Sequence, residues 1–176
     1  MIVLIGFMGA GKTTVGHLLA ARLGLPFVDS DLVIEQRSGR PARQIFAEDG
    51  EPAFRALEHE VIAGLLDGPD LVLAVGGGAP EHPATRRRLT AAQVVYLEVG
   101  YDQAMARVGG DPDRPLLARP DLAATYQRRL PLYAGIATFA VATDGRRPET
   151  VAADILTRLA PEPAAGGRAP YSRRRP

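Results

Sequence analysis

Near the amino terminus, Gly6-Phe-Met-Gly-Ala-Gly11-Lys12-Thr13 has the spacing glycine, four residues, then glycine, lysine and threonine. This is the P-loop pattern: glycines let backbone N–H groups turn inward around phosphate oxygens, the lysine reaches the β- and γ-phosphates, and the threonine hydroxyl binds Mg²⁺. Gly9, Ala10, Gly11, Lys12, Thr13 and Thr14 are the expected phosphate-binding residues. The alternative is a glycine-rich turn with a chance lysine. Its context argues otherwise, since an apolar run leads in and an amphipathic stretch leads out. Of 21 basic residues, 20 are arginines and Lys12 is the single lysine. A compact ammonium on a flexible stem fits inside a glycine loop, where the planar arginine fork is bulkier.

A P-loop alone leaves GTPase, motor ATPase and small-molecule kinase open. A regulatory GTPase reads guanine through an Asn-Lys-x-Asp segment, which a chain with its only lysine in the P-loop cannot contain. Leu71 to Val75 runs into Gly76, Gly77 and Gly78 instead of an acidic residue, so the usual Walker B carboxylate is absent. Phe27-Val-Asp29-Ser-Asp31 supplies two carboxylates instead. Asp29 is suited to hold Mg²⁺ through water, and Asp31 to orient a substrate hydroxyl or accept its proton. The competing reading is an N-cap on the following helix.

These groups need a scaffold that gathers them at one edge. Short aliphatic runs alternate with stretches of helical period, the pattern of βαβ units around a mostly parallel sheet. Five strands are expected, at Ile2 to Ile5, Pro26 to Asp29, Leu71 to Val75, Gln93 to Val99 and Thr138 to Ala142. A helix from Lys12 to Leu23 buries Val15, Leu18, Leu19 and Leu23, and Gly24 stops it. Another opens with Pro52 at its first position and buries Phe54, Leu57, Val61 and Leu65, and a last one opens at Pro148 and reaches Leu159. Gly76 to Pro80 reads as a strand-to-helix turn, and the thirteen residues Gly109 to Asp121 are long enough for a lid. In an open sheet of this kind, ligands bind at the C-terminal ends of the strands.

Length and composition agree with one domain. The chain has 176 residues, 46% hydrophobic and 23% charged, with net charge +1 and no cysteine. Disulfide scaffolds, thiolate metal sites and cysteine nucleophiles are excluded. Neither a signal peptide nor a membrane span is visible, so a cytoplasmic protein is expected. Residues 161–176 carry +3 and four prolines, which leaves −2 on residues 1–160 and predicts a disordered basic tail. A surface that acidic does not favour nucleic acid. His17, His59 and His82 are scattered and receive no metal role.

GFMGAGKTTVG, Asp29-Ser-Asp31, FAEDGEPAFRALE, GGGA and RPLL occur in the order and spacing of the shikimate kinase family, which the chain resembles from about residue 2 to 160. The resemblance implies an α/β, three-layer P-loop kinase fold with a five-stranded parallel sheet, and a lid loop at about 109–121. It implies MgATP-dependent phosphorylation of the 3-hydroxyl of shikimate, in the pathway to chorismate and aromatic amino acids, by a monomer. Position by position, it implies Lys12, Asp31 and Arg114 as catalytic residues, with Arg114 of Arg114-Pro-Leu-Leu reaching the transferring phosphoryl group. Asp29 and Thr13 would hold Mg²⁺. Asp31, Arg55, Gly76, Gly77, Gly78 and Arg129 would bind shikimate, with both arginines on its carboxylate. Arg107, Arg146 and Pro148 would contact ATP around the adenine. Tyr126 to Tyr133 is about four residues shorter than in relatives, close to one helical turn, so Arg129 keeps its facing and Arg128 is the competitor. The rival readings are a gluconate or nucleoside monophosphate kinase and, from another class, a nucleotide-dependent nucleic-acid-binding module.

Overall fold

Strand β1 (Ile2–Ile5) is buried along its whole length, as an aliphatic run must be when layers cover both faces of a sheet. The computed structural model describes residues 1–109 and 121–160. Five parallel strands form one sheet in the order β2 (Phe27–Asp29), β3 (Val72–Ala74), β1, β4 (Gln93–Glu98), β5 (Phe139–Ala142). Ile2 pairs with Val72 on one side and Gln93 on the other, and Asp29 pairs with Ala74. From β1 the chain crosses to β2 at one edge, returns to β3 beside β1, and then adds β4 and β5 on the other side. This puts the loop after β1 at the central crevice of the C-terminal edge.

The helices are α1 (Lys12–Leu23), α2 (Ser30–Ser38), α3 (Ala42–Glu48), α4 (Gly50–Leu66), α5 (Pro83–Leu89), α6 (Tyr101–Val108), α7 (Leu122–Ile136) and α8 (Pro148–Leu159), with a 3₁₀ turn at Ala79–Glu81. The expected strands, α1 and α8 are all present, within one or two residues at the ends. Pro52 is a correction: α4 opens two residues earlier, at Gly50, and the proline sits at its third position. Its missing N–H costs nothing there, since the first-turn N–H groups have no intrahelical partner. Leu23 is exposed, and Gly16 and Ala20 complete the buried face of α1. On α4, Glu58 and Ile62 are buried beside Phe54 and Val61, with Leu57 and Leu65 only partly covered.

Most apolar side chains form one core around the sheet, and Ile34, Ile45, Phe54 and Val61 form a smaller one under α2, α3 and α4. Gly16 is what lets Phe27 of β2 lie against α1, because a Cβ there would overlap the Phe27 ring. Gly16→Ala would gain up to about 1 kcal/mol of helix propensity but lose about 1–3 to overpacking. The expected net result is a Tm lower by about 2–4 °C, read by thermal melting. Segments 110–120 and 161–176, which hold Arg114, most of the expected lid and the basic tail, lie outside the described residues.

Candidate active site

Beyond β1 the backbone coils through the P-loop, and Gly11, at φ 88°, adopts the left-handed conformation just before α1. Among the described residues no side chain caps this helix end, whose first N–H groups are suited to an anion. Lys12 Nζ donates to the carbonyls of Gly6 and Phe7 at 2.9 and 3.2 Å, holding the ammonium over the loop. Ala10 is buried, and Thr14 is exposed on the first turn.

Each residue of the segment from Asp29 to Asp31 does something different. Asp29 Oδ2 accepts from Thr13 Oγ1 at 3.2 Å, and its Oδ1 accepts from the Asp31 backbone N–H at 3.0 Å. One carboxylate therefore serves both as N-cap of α2 and as partner of the P-loop hydroxyl. Ser30, fully buried, accepts from the Gly76 N–H at 3.2 Å and pins the glycine segment after β3. Asp31 turns the other way, and its Oδ1 is buried with no hydrogen-bond partner among the described residues. Burial, then the charge of Asp29, push the Asp31 carboxyl up to about 6, against the pull of Lys12 and Arg55.

Gly76, Gly77 and Gly78 owe their identity to space, since none has positive φ. A Cβ on Gly76 would stand 2.5 Å from Glu58 Oε1 and 2.9 Å from Asp31 Oδ1. One on Gly77 would press on the Gly6 carbonyl oxygen at 3.3 Å, with Tyr133 Oη and Arg129 Nη1 in ordinary contact at 3.5 and 3.7 Å, and one on Gly78 would overlap the Arg55 guanidinium. Carboxylates, arginines and a phenol from α2, α4 and α7 thus converge on one bare strip of backbone.

Arg55 lies over the rings of Phe46 and Phe54 and donates to Glu58 Oε2 at 2.6 Å and Glu51 Oε1 at 3.3 Å. Glu58 is fully buried, and its Oε1 has no hydrogen-bond partner among the described residues. Burial raises its carboxyl to about 7 despite Arg55, and Asp31 adds to the rise. Arg129 and Tyr133, one turn apart on α7, share a buried face, and Tyr133 Oη donates to the Gly77 carbonyl at 2.6 Å. The face of the Arg129 guanidinium is 6.0 Å from the centre of the Phe7 ring in the P-loop. Arg128, by contrast, points outward.

The third group lies toward β5. Arg107 donates to the Gly9 carbonyl at 2.9 Å and to the Thr143 carbonyl at 2.7 Å, tying the P-loop to the segment after β5. Arg146 is turned to Asp154 on α8 and to the Ala142 carbonyl, each at 3.1 Å, and Pro148 opens that helix. Ser30, Glu58, Glu81 and Tyr133 are site neighbours that sequence reasoning did not assign. Among the described residues no cluster of three acidic or histidine side chains could hold a metal alone. His59 and His82 instead share the Thr85 hydroxyl, at 3.0 and 3.1 Å.

This geometry coincides with a match to the shikimate kinase family model over residues 8–160. The chain belongs to the shikimate kinase family. It is 47% identical over 161 residues to the shikimate kinase of Mycobacterium avium, covering 89% of this chain and 92% of that protein. With the shikimate kinase of Thermobifida fusca the identity is 49% over 169 residues, covering 94% and 96%. The solved shikimate kinase from Acinetobacter baumannii, in complex with shikimate, superposes with a TM-score of 0.85 at 37% identity, covering 90% of this chain and 91% of that one. The expected three-layer P-loop kinase fold is thus the fold of a shikimate kinase. Family membership also favours a kinase over a nucleic-acid-binding module.

Proposed function

We propose that the chain transfers the γ-phosphoryl group of MgATP to the 3-hydroxyl of shikimate, giving shikimate 3-phosphate and ADP. The observation that carries this reading is the convergence of Arg55, Arg129 and Asp31 on the bare strip from Gly76 to Gly78, next to the P-loop. A carboxylated polyol needs guanidinium groups for its charged end and a carboxylate for its hydroxyls. The Acinetobacter relative holds shikimate, which supports the same ligand here.

Asp31 would orient the 3-hydroxyl and take up its proton as the hydroxyl oxygen attacks in line, with no covalent enzyme intermediate. Lys12, Gly9, Ala10, Gly11, Thr13 and Thr14 would hold the phosphates, with Arg107, Arg146 and Pro148 nearer the adenine. Arg114 would stabilise the transferring group on a closing lid. The donors available for Mg²⁺ fit that ion: the Thr13 hydroxyl and the Asp29 carboxylate are hard oxygens 3.2 Å apart on two elements. Mg²⁺ usually takes only one or two protein ligands and fills its octahedron with phosphate oxygens and water. When bound, it would neutralise charge on the phosphates.

One catalytic domain over residues 1–160, working as a monomer in the cytoplasm with a basic tail at 161–176, completes the proposal. Among the described residues no helix is long and apolar enough to cross a membrane. The decisive assay measures ADP release with shikimate, gluconate and nucleoside monophosphates side by side. Turnover on shikimate alone is expected, and rapid turnover of gluconate without shikimate would sink the proposal.

Two variants probe the carboxylate end. Arg129 is 2% exposed and Arg128 is 56% exposed, so Arg129→Ala should raise the shikimate KM at least tenfold more than Arg128→Ala does. A larger effect from Arg128 would reverse the assignment. Gly78→Ala should displace the Arg55 guanidinium and lower kcat/KM for shikimate by about 10²-fold, with the ATP KM unchanged. An unchanged shikimate KM would show that Arg55 does not face the substrate.

A further inference from the structure

Arg129 is gripped from one edge. Its Nε and Nη2 both donate to Glu81 Oε2, at 3.0 and 2.7 Å. The other carboxylate oxygen, Oε1, accepts from Nε and Nη2 of Arg128, at 3.2 and 3.1 Å. Glu81 ends the 3₁₀ turn that follows the glycine strip, and that turn is fixed by its own backbone: the Ala79 N–H donates to the Gly76 carbonyl and the Glu81 N–H to the Gly78 carbonyl, at 3.0 and 2.9 Å. Glu81 is therefore anchored to the same strip that Arg55 and Arg129 approach.

A guanidinium has five N–H donors, and Glu81 takes two of them. Nη1, on the opposite edge, is the Arg129 atom that comes nearest Gly77, and it shares that approach with the Tyr133 hydroxyl, which also interacts with Arg129. We infer that Glu81 is a positioning residue: it clamps Arg129 by the Nε–Nη2 edge and leaves the Nη1 edge aimed at the substrate carboxylate. The inference rests on the proposal that Arg129 faces the carboxylate of shikimate. Glu81 itself does not touch substrate.

The clamp has a physical rationale. A flexible four-torsion side chain entering a buried site from a helix must be ordered before it can bind anything, and the paired hydrogen bonds to Glu81 supply that order from within the protein. A buried guanidinium also needs a counter-charge, and Glu81 is its ion-pair partner among the described residues. Burial pushes the Glu81 carboxyl up, but the hydrogen bonds from Arg129 and then Arg128 hold it below the usual carboxylate range, so the clamp stays charged at neutral pH. Arg128, sharing the other oxygen, keeps Glu81 from turning to solvent.

The test uses the full chain with Glu81→Ala, Glu81→Gln and Arg129→Ala, and two acceptors: shikimate and its carboxamide analogue, which lacks the negative charge. Glu81→Ala should raise the shikimate KM about tenfold while kcat and the ATP KM stay within about twofold. Glu81→Gln keeps an acceptor oxygen for Nε and Nη2 and should restore the KM to within about threefold of native. The KM for the carboxamide should not respond to Glu81→Ala. A shikimate KM that is unchanged or lowered in Glu81→Ala would overturn the inference, as would an equal rise for the carboxamide, which would mark general damage to the site. Should Glu81→Ala fail to fold, Glu81→Gln decides, with a shikimate KM raised tenfold or more counting against the clamp. Arg129→Ala separates the two levels: if it raises the KM and Glu81→Ala does not, only the clamp fails; if it does nothing, the carboxylate site is misassigned.

Discussion

Replacing Asp31 with Asn is expected to lower kcat by about 10³-fold and, at the same time, to stabilise the protein. The loss follows from chemistry. Asparagine can hold a hydroxyl but cannot take up its proton, and positioned bases contribute typically about 10²–10⁴. The gain follows from burial. The carboxyl of Asp31 is raised from 3.8 to about 6, chiefly by desolvation, so the folded state binds its proton more tightly than the unfolded chain does. Its contribution to stability is complete below about pH 4 and is lost as pH rises through about 6. Asparagine removes that loss, worth on the order of 2 kcal/mol, so Asp31→Asn should melt about 4–8 °C higher at pH 7.5 and no higher near pH 4. Melting curves at the two pH values check it. The native enzyme should also show an acid limb in kcat/KM near pH 6, a value that belongs jointly to Asp31 and the buried Glu58, whose own carboxyl is raised to about 7. A flat profile from pH 5 to 8 would count against a proton-accepting carboxylate at this position.

Lys12→Arg should keep the fold and lose most phosphoryl transfer, with kcat down about 10²–10³-fold. Lys12 Nζ sits on the carbonyls of Gly6 and Phe7, a berth shaped for a compact ammonium. An arginine brings a rigid plane into a loop where Gly6 and Gly9 already lie too close to the Leu97 and Ala104 carbonyls to admit a Cβ. Because Lys12 is only half-buried, Tm should move by no more than about 2 °C. Near-normal kcat would mean that the chain's single lysine is not required for transfer.

The groups legible in the sequence are those whose chemistry needs a local pattern. Gly6 to Thr13 names itself by spacing, β1 by its aliphatic run, and α1 by periodicity and its terminal Gly24. Asp29 was readable either as cap or as metal partner, and the fold makes those readings compatible, one per carboxylate oxygen. What stayed illegible depends on distant residues meeting. Glu58, three residues after Arg55, has the spacing of an exposed helix ion pair, yet α4 turns it inward under Gly76. Glu81 directly follows the segment Gly76 to Pro80 that reads as a strand-to-helix turn, and nothing in its neighbourhood names a partner 48 residues away. Gly76 to Gly78 read as a strand-to-helix turn, whereas none has positive φ and the missing side chains, above all at Gly76 and Gly78, are what matter. Arg129 shows the limit most clearly: the sequence offers two adjacent arginines, and only the helix phase buries one and exposes the other.

The most direct test of the account is to incubate the purified chain with MgATP and shikimate and follow phosphorus by NMR. The predicted result is loss of the ATP γ-signal with stoichiometric growth of a phosphate ester whose phosphorus couples to the proton on C3 of shikimate. Release of inorganic phosphate without that ester, or an ester at another hydroxyl, would contradict it.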